Sequence, residues 1–187
     1  MTKPVTPSQT LGPFFGFALP WPDGPYAVAE DTPAAFWIRG QVFDGAGAQV
    51  PDALVETWQA DPDGRFDHPD DPRGAVGREG FRGFARCSTD AEGRYAVWTV
   101  RPGQVPAPDG RPQAPHIDVT VLARGLLHRV VTRMYFPDDG DAVVADPVLA
   151  SVSDDTARGT LMLEPDGDGY RFDIHLQGEH ETVFFDF

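Results

Sequence analysis

A single stretch, residues 113–122, constrains the fold of this chain most strongly. It reads Gln-Ala-Pro-His-Ile-Asp-Val-Thr-Val-Leu, and β-branched residues after an opening proline are typical of a β-strand. Side chains alternate between the two faces of a strand, so alternate residues from Ile117 to Val121 form a core face. His116 and Asp118 then share the other face, where an imidazole and a carboxylate indicate a metal site, the remnant of one, or a structural His–Asp contact.

The rest of the chain has the same character. With 19 prolines and 20 glycines in 187 residues, short strands joined by turns are favoured over helices, and the length fits one domain. Two hairpins are predicted, one from strands 36–44 and 53–60 and one from strands 84–89 and 94–100, with a further hairpin turn at 166–169. A further strand is predicted over 128–136, after the strand at 113–122. The segment 141–152 is predicted to hold one short helix broken by Pro147. The predicted fold class is all-β, a mixed-strand β-sandwich with long loops and little helix.

Charge and cysteine content exclude some functions. The net charge of -14 leaves no basic stripe for nucleic acid, and it repels small anions unless a local positive group reverses the field. The one cysteine, Cys87, cannot form an internal disulfide, which favours a reducing, cytoplasmic location. No signal peptide and no apolar run of membrane-spanning length is visible, so no membrane partner is expected.

The two ends of the chain are more apolar than free tails would be. Pro13 and Gly12 break regular structure near the start, yet Leu11, Phe14 and Phe15 call for burial. We interpret this segment as an ordered arm on its own surface or on a partner's, with a frayed terminus as the alternative. The phenylalanines of residues 181–187 indicate a final strand or arm that also requires burial.

Several stretches together resemble the intradiol ring-cleavage dioxygenases, and the resemblance covers nearly the whole chain. The stretches are Thr6–Phe14, Val50–Asp61, Phe84–Asp90, Gly93–Tyr95, Val100–Gly103, Ala114–Ile117 and the ending Gly178–Phe187. The resemblance implies the mixed β-sandwich of that family and a role in opening a catechol ring between its hydroxyls with dioxygen. It also implies a ferric ion held by two tyrosinates and two histidines, since hard Fe(III) favours anionic oxygen donors.

The ligand positions do not carry over. The first tyrosine matches Phe66, the second matches Val105, the first histidine matches His116 and the second matches Asp118. Phenylalanine and valine offer no donor atom, and one imidazole with one carboxylate is too few to hold Fe(III) against water. The resemblance therefore implies a chain without catalytic residues or metal of its own, in which His116 and Asp118 are the relic of a metal site.

This pattern is similar to the non-iron subunit of the family's two-subunit members, whose homologous β subunit holds the Fe(III). By that resemblance the chain is a single domain, 1–187, whose N-terminal arm, residues 1–35, packs on the partner. Thr10, Gly12 and Pro13 would line the partner's cleft, and Arg133 would attract the carboxylate of a small aromatic acid that reacts there with O2. A surface salt bridge is the alternative for Arg133. The alternatives for the chain are an independent enzyme with unusual ligands and a non-enzymatic β-sandwich that binds small molecules.

Overall fold

The structure, a computed structural model, describes residues 9–74 and 76–186. Three short helices and eleven strands occur in these residues. In chain order they are α1 (Phe15–Ala18), β1 (Phe36–Phe43), β2 (Leu54–Trp58), β3 (Phe84–Ser88), β4 (Arg94–Thr99), β5 (Val105–Pro106), β6 (Pro112–Gln113), β7 (His116–Leu122), β8 (Val130–Tyr135), α2 (Gly140–Ala145), α3 (Asp155–Gly159), β9 (Glu164–Asp166), β10 (Gly169–Arg171) and β11 (Ile174–His175), with a 3-10 turn at Leu149–Ser151 between α2 and α3.

Two sheets pack against each other. In the first, β1 lies antiparallel to β4 and parallel to β10 and β11, and β9 pairs with β10. The second has the order β3-β2-β7-β8 and is antiparallel throughout. A small ribbon of β5 and β6 stands outside both. This mixed-strand β-sandwich confirms the predicted fold class.

The core lies between the two sheets, as the alternation of residues in the strand at 113–122 predicts. Ile117, Val119 and Val121 are fully buried and belong to one large apolar cluster with Ile38 and Val42 of β1. The opposite face of β7 carries His116 and Asp118 away from this core. The alternating pattern thus determines which face of the second sheet carries polar side chains that could form a site.

Both predicted hairpins at the start of the sandwich are wrong. β1 and β2 belong to different sheets, and so do β3 and β4, so each turn carries the chain from one layer to the other. Alternating apolar residues show that one face of a strand is buried. They do not show whether the next strand pairs beside it in the same sheet or packs across the core in the other sheet. The turn at 90–93 is tight nevertheless, since the amide of Gly93 donates to the carbonyl of Asp90.

Predictions for the second half are closer. β8 lies within the strand predicted over 128–136, and Gly167 and Asp168 form the two-residue turn between β9 and β10 that was predicted at 166–169. β8 also pairs antiparallel with β7, a pairing that the sequence analysis did not predict. α2 ends at Ala145, just before Pro147, as the proline predicts. The tail forms no strand in its described residues, but Val183, Phe184 and Phe185 pack on the sandwich. Across residues 9–74 and 76–186, no helix has the length and apolar character needed to cross a bilayer.

Candidate functional site

The four positions that match metal ligands lie around one cavity and the strand beside it. Phe66 stacks on Trp58 with ring centroids 5.9 Å apart and planes within 7°. Both rings and Val105 line a cavity of about 680 Å³. Asp118 faces Trp58 directly across the β2–β7 pairing, so the two side chains share one face of the sheet. The fold therefore brings the predicted positions together, although Phe66 and Val105 offer only carbon atoms there.

His116 is held in one orientation. Its residue surface is 6% exposed, and Nδ1 lies 2.7 Å from the carbonyl oxygen of Ala114. A carbonyl can only accept, so Nδ1 carries the hydrogen and Nε2 keeps the lone pair. Burial lowers the pKa of His116, and the positive charge of Arg133 lowers it further. The imidazole is therefore neutral at pH 7.

Arg133 occupies the centre of this polar group and is 9% exposed. Its Nε donates to Asp118 Oδ1 at 2.8 Å, and its Nη1 donates to Gln113 Oε1 at 2.7 Å and lies 3.4 Å from the hydroxyl of Tyr135. Burial raises the pKa of Tyr135, which remains a neutral phenol. We call Gln113, His116, Asp118, Arg133 and Tyr135 the Arg133 cluster.

Asp146 connects the Arg133 cluster to the backbone around it. The residue is 0% exposed, and its Oδ2 accepts from the amide of Ala114 at 2.7 Å. Its Oδ1 accepts from the amides of Val148 and Leu149 at 2.8 and 2.9 Å. The Tyr135 hydroxyl lies 3.4 Å from the same oxygen. One carboxylate thus fixes the segment that precedes His116 and the turn that follows α2.

The N-terminal arm lies elsewhere on the molecule. The amide of Leu11 donates to the carbonyl of Leu126, in the loop between β7 and β8, at 2.7 Å. Thr10, Gly12 and Pro13 are exposed. Phe14 and Phe17 are 79% and 83% exposed, which is unusual for two large apolar side chains so close in sequence. Near its start the described arm is therefore tied to the β7–β8 loop at Leu11 while several of its side chains are exposed. Further along it is held to the sandwich itself, where Ala27 is fully buried and its amide donates to the carbonyl of Trp98.

Arg133 lies away from the point at which Leu11 anchors the arm. Val130 pairs with Val121 at the loop end of the hairpin, and Arg133 lies three residues further along β8, roughly 10 Å away at the rise of a strand. The loop beside Leu126 carries two further arginines, Arg124 and Arg129, and both of these are exposed. The sequence analysis identified neither as a candidate site residue. Predicting that β7 and β8 form a hairpin would have placed both arginines in the loop that joins them.

Comparisons with known proteins agree with the fold and with the residues. Residues 12–178 match the family model described as dioxygenase. The protocatechuate 3,4-dioxygenase alpha chain of Burkholderia cepacia is 42% identical over 99% of this chain and 98% of its own. The chain belongs to the intradiol dioxygenases. The beta chain of the same enzyme and organism is 38% identical over 78% of this chain and 65% of its own.

A solved intradiol dioxygenase supports the same architecture. Catechol 1,2-dioxygenase from Acinetobacter sp. ADP1 superposes with a TM-score of 0.58 at 20% identity, over 80% of this chain. This chain spans 55% of the length of that enzyme. At this identity the likeness bears on the fold alone.

The residues present do not fit the ferric ion of the intradiol dioxygenases. Phe66 and Val105 carry no donor atom, and the carboxylate of Asp118 already pairs with the guanidinium of Arg133. Within the part of the chain that the structure describes, no three His, Cys, Asp or Glu side chains are grouped to hold a metal ion. The polar face of β7 surrounds the guanidinium of Arg133, so no chemical step can be assigned to a metal in this chain.

Proposed function

We propose that this chain is the α, non-iron subunit of protocatechuate 3,4-dioxygenase. That enzyme opens 3,4-dihydroxybenzoate with O2 between its hydroxyls to give 3-carboxy-cis,cis-muconate, in the catabolism of aromatic compounds. The observation that carries the proposal is the 42% identity to an alpha chain over 99% of this chain, together with Phe66 and Val105 where metal ligands are required. A non-enzymatic small-molecule binding module of the same fold is the second reading, and it would need no homologous partner.

The proposal divides the work between two homologous chains. The iron belongs to a β subunit, which supplies its ligands and most of the pocket. This chain contributes a surface that completes the cleft. The likeness to both the alpha and the beta chain of one enzyme supports a paired assembly of related subunits.

The N-terminal arm is the segment that we assign to the partner's cleft. Phe14 and Phe17 present apolar surface that a partner would bury. Thr10, Gly12 and Pro13 precede them on the same exposed segment. Glycine and proline let the backbone approach a ligand closely in a fixed shape, and the threonine hydroxyl can donate or accept a hydrogen bond.

The substrate carboxylate needs a positive group because the chain carries a net charge of -14. Arg133 remains a prediction for this role, but it is only 9% exposed, and Asp118 and Gln113 accept from its guanidinium at 2.8 and 2.7 Å. We place the role instead on Arg124, which lies two residues from the arm's anchor at Leu126. Its side chain is 66% exposed, and Asp52 holds its Nε at 3.1 Å, so the guanidinium is both accessible and oriented.

Three alanine variants test this assignment in the assembled enzyme. Arg124→Ala should raise the KM for 3,4-dihydroxybenzoate about fivefold, more at low salt, because it removes electrostatic attraction at the cleft. Arg129→Ala is the matched control, since it removes the same charge from the same loop, and its effect should stay below about twofold. Initial rates at two ionic strengths measure both. A selective rise in KM for Arg133→Ala, with Arg124→Ala unchanged, would return the role to Arg133.

A further inference from the structure

The guanidinium of Arg133 is surrounded by oxygen acceptors in the way a bound cation would be. A carboxylate oxygen of Asp118 lies at 2.8 Å, an amide oxygen of Gln113 at 2.7 Å and the phenol oxygen of Tyr135 at 3.4 Å. The residue is buried to 9% exposure. These contacts join β6, β7 and β8 around a single positive charge.

His116 adds a nitrogen donor on the same face. Its Nδ1 donates to the Ala114 carbonyl at 2.7 Å, which leaves the lone pair on Nε2. Metal-binding histidines commonly donate their other ring N–H to a backbone carbonyl in this way, because that contact fixes both the tautomer and the orientation of the ring. Within residues 9–74 and 76–186, no side chain hydrogen-bonds Nε2. A mixed nitrogen and oxygen donor set of this kind suits borderline divalent ions.

We propose that Arg133 is a resident cation that excludes a divalent metal ion from the Arg133 cluster. Its positive charge neutralises Asp118, fills the space between the remaining donors and repels any second cation. The absence of ligands at Phe66 and Val105 explains why the cluster cannot hold Fe(III). Arg133 leads to a further expectation, which is that the cluster also does not bind ions with smaller ligand requirements, such as Co²⁺ or Zn²⁺.

The test removes the charge and keeps the hydrogen-bonding capacity. Arg133→Gln, in the full-length protein as purified, should bind one Co²⁺ at least about tenfold more tightly than the unaltered protein, because like-charge repulsion at close range is lost. Titration calorimetry measures the affinity, and the visible bands of Co²⁺ report its coordination geometry and its set of donor atoms. Arg133→Gln combined with His116→Gln should lose both the gain and the bands.

Two further variants make the result unambiguous. Arg101→Gln frees the carboxylates of Asp138 and Asp139 at the surface, each 2.8 Å from Arg101, and it should gain no tight Co²⁺ site. Arg133→Lys keeps the charge and should also take up none. Should Arg133→Gln fail to fold without metal, Arg133→His takes its place, and Co²⁺ should then raise its Tm. A folded Arg133→Gln protein with no gain over Arg101→Gln would overturn the proposal.

Discussion

Replacing Asp146 with alanine should lower the free energy of unfolding by about 4 kcal/mol, because two buried amides and one half-buried amide lose the carboxylate that accepts from them. The Asp146 carboxylate accepts from the amides of Ala114, Val148 and Leu149 at 2.7 to 2.9 Å. The residue is fully buried, so water cannot replace the lost acceptor. Each unsatisfied buried donor costs about 1–3 kcal/mol. Urea unfolding followed by far-UV circular dichroism measures the change.

Asp154 provides the matched control for this prediction. It also accepts a backbone hydrogen bond, from the amide of Ala157 at 2.9 Å, but at the exposed start of α3. Asp154→Ala should cost about 1 kcal/mol, the usual value for an N-cap. Equal losses for the two variants would contradict a special role for Asp146 in holding the Arg133 cluster.

The second large effect concerns the arm. Gly12→Leu should lower kcat/KM of the assembled enzyme roughly hundredfold, because a bulky side chain would displace the arm from the partner's cleft by about an ångström or more. In this chain alone, a Cβ added at Gly12 meets no atom within 4 Å. The same substitution should therefore leave the stability of the isolated chain within about 0.5 kcal/mol. Steady-state kinetics with 3,4-dihydroxybenzoate measures the effect.

Gly77 offers the control for the arm. It is exposed, and an added Cβ there also meets no atom within 4 Å. Gly77→Leu should leave both stability and kcat/KM unchanged, since no cleft role is assigned to that loop. Full activity of the Gly12→Leu variant would contradict the placement of the arm in the partner's cleft.

The sequence predicted the side of β7 that faces the core, and it did so for a local reason. Alternation of Ile117, Val119 and Val121 with polar residues is a property of one strand, and the fold class follows from many such strands. The hairpins were wrong because pairing is not local. β1 takes its antiparallel partner, β4, from a later part of the chain, and nothing in either pattern distinguishes a turn within a sheet from a turn between sheets.

The polar site likewise has a part that the sequence predicts and a part that it does not. The resemblance identified Phe66, Val105, His116 and Asp118 as the four ligand positions, of which only His116 keeps its ligand, and the fold places them around one cavity and its neighbouring strand. The pairing of Asp118 with Arg133 depends on the register between β7 and β8, which sets these two residues directly opposite each other. Asp146 was missed because its three amide partners become neighbours only after the loop between α2 and the 3-10 turn has packed. No motif in the sequence marks such a carboxylate.

The central claim is that this chain builds a cleft wall and has no reactive metal centre of its own. The most direct test expresses the chain alone, supplies iron, and measures O2 uptake with 3,4-dihydroxybenzoate. We expect no uptake above the rate without protein, and turnover once a homologous chain bearing the tyrosine and histidine ligands is added. Stoichiometric iron and ring opening by this chain alone would contradict the account.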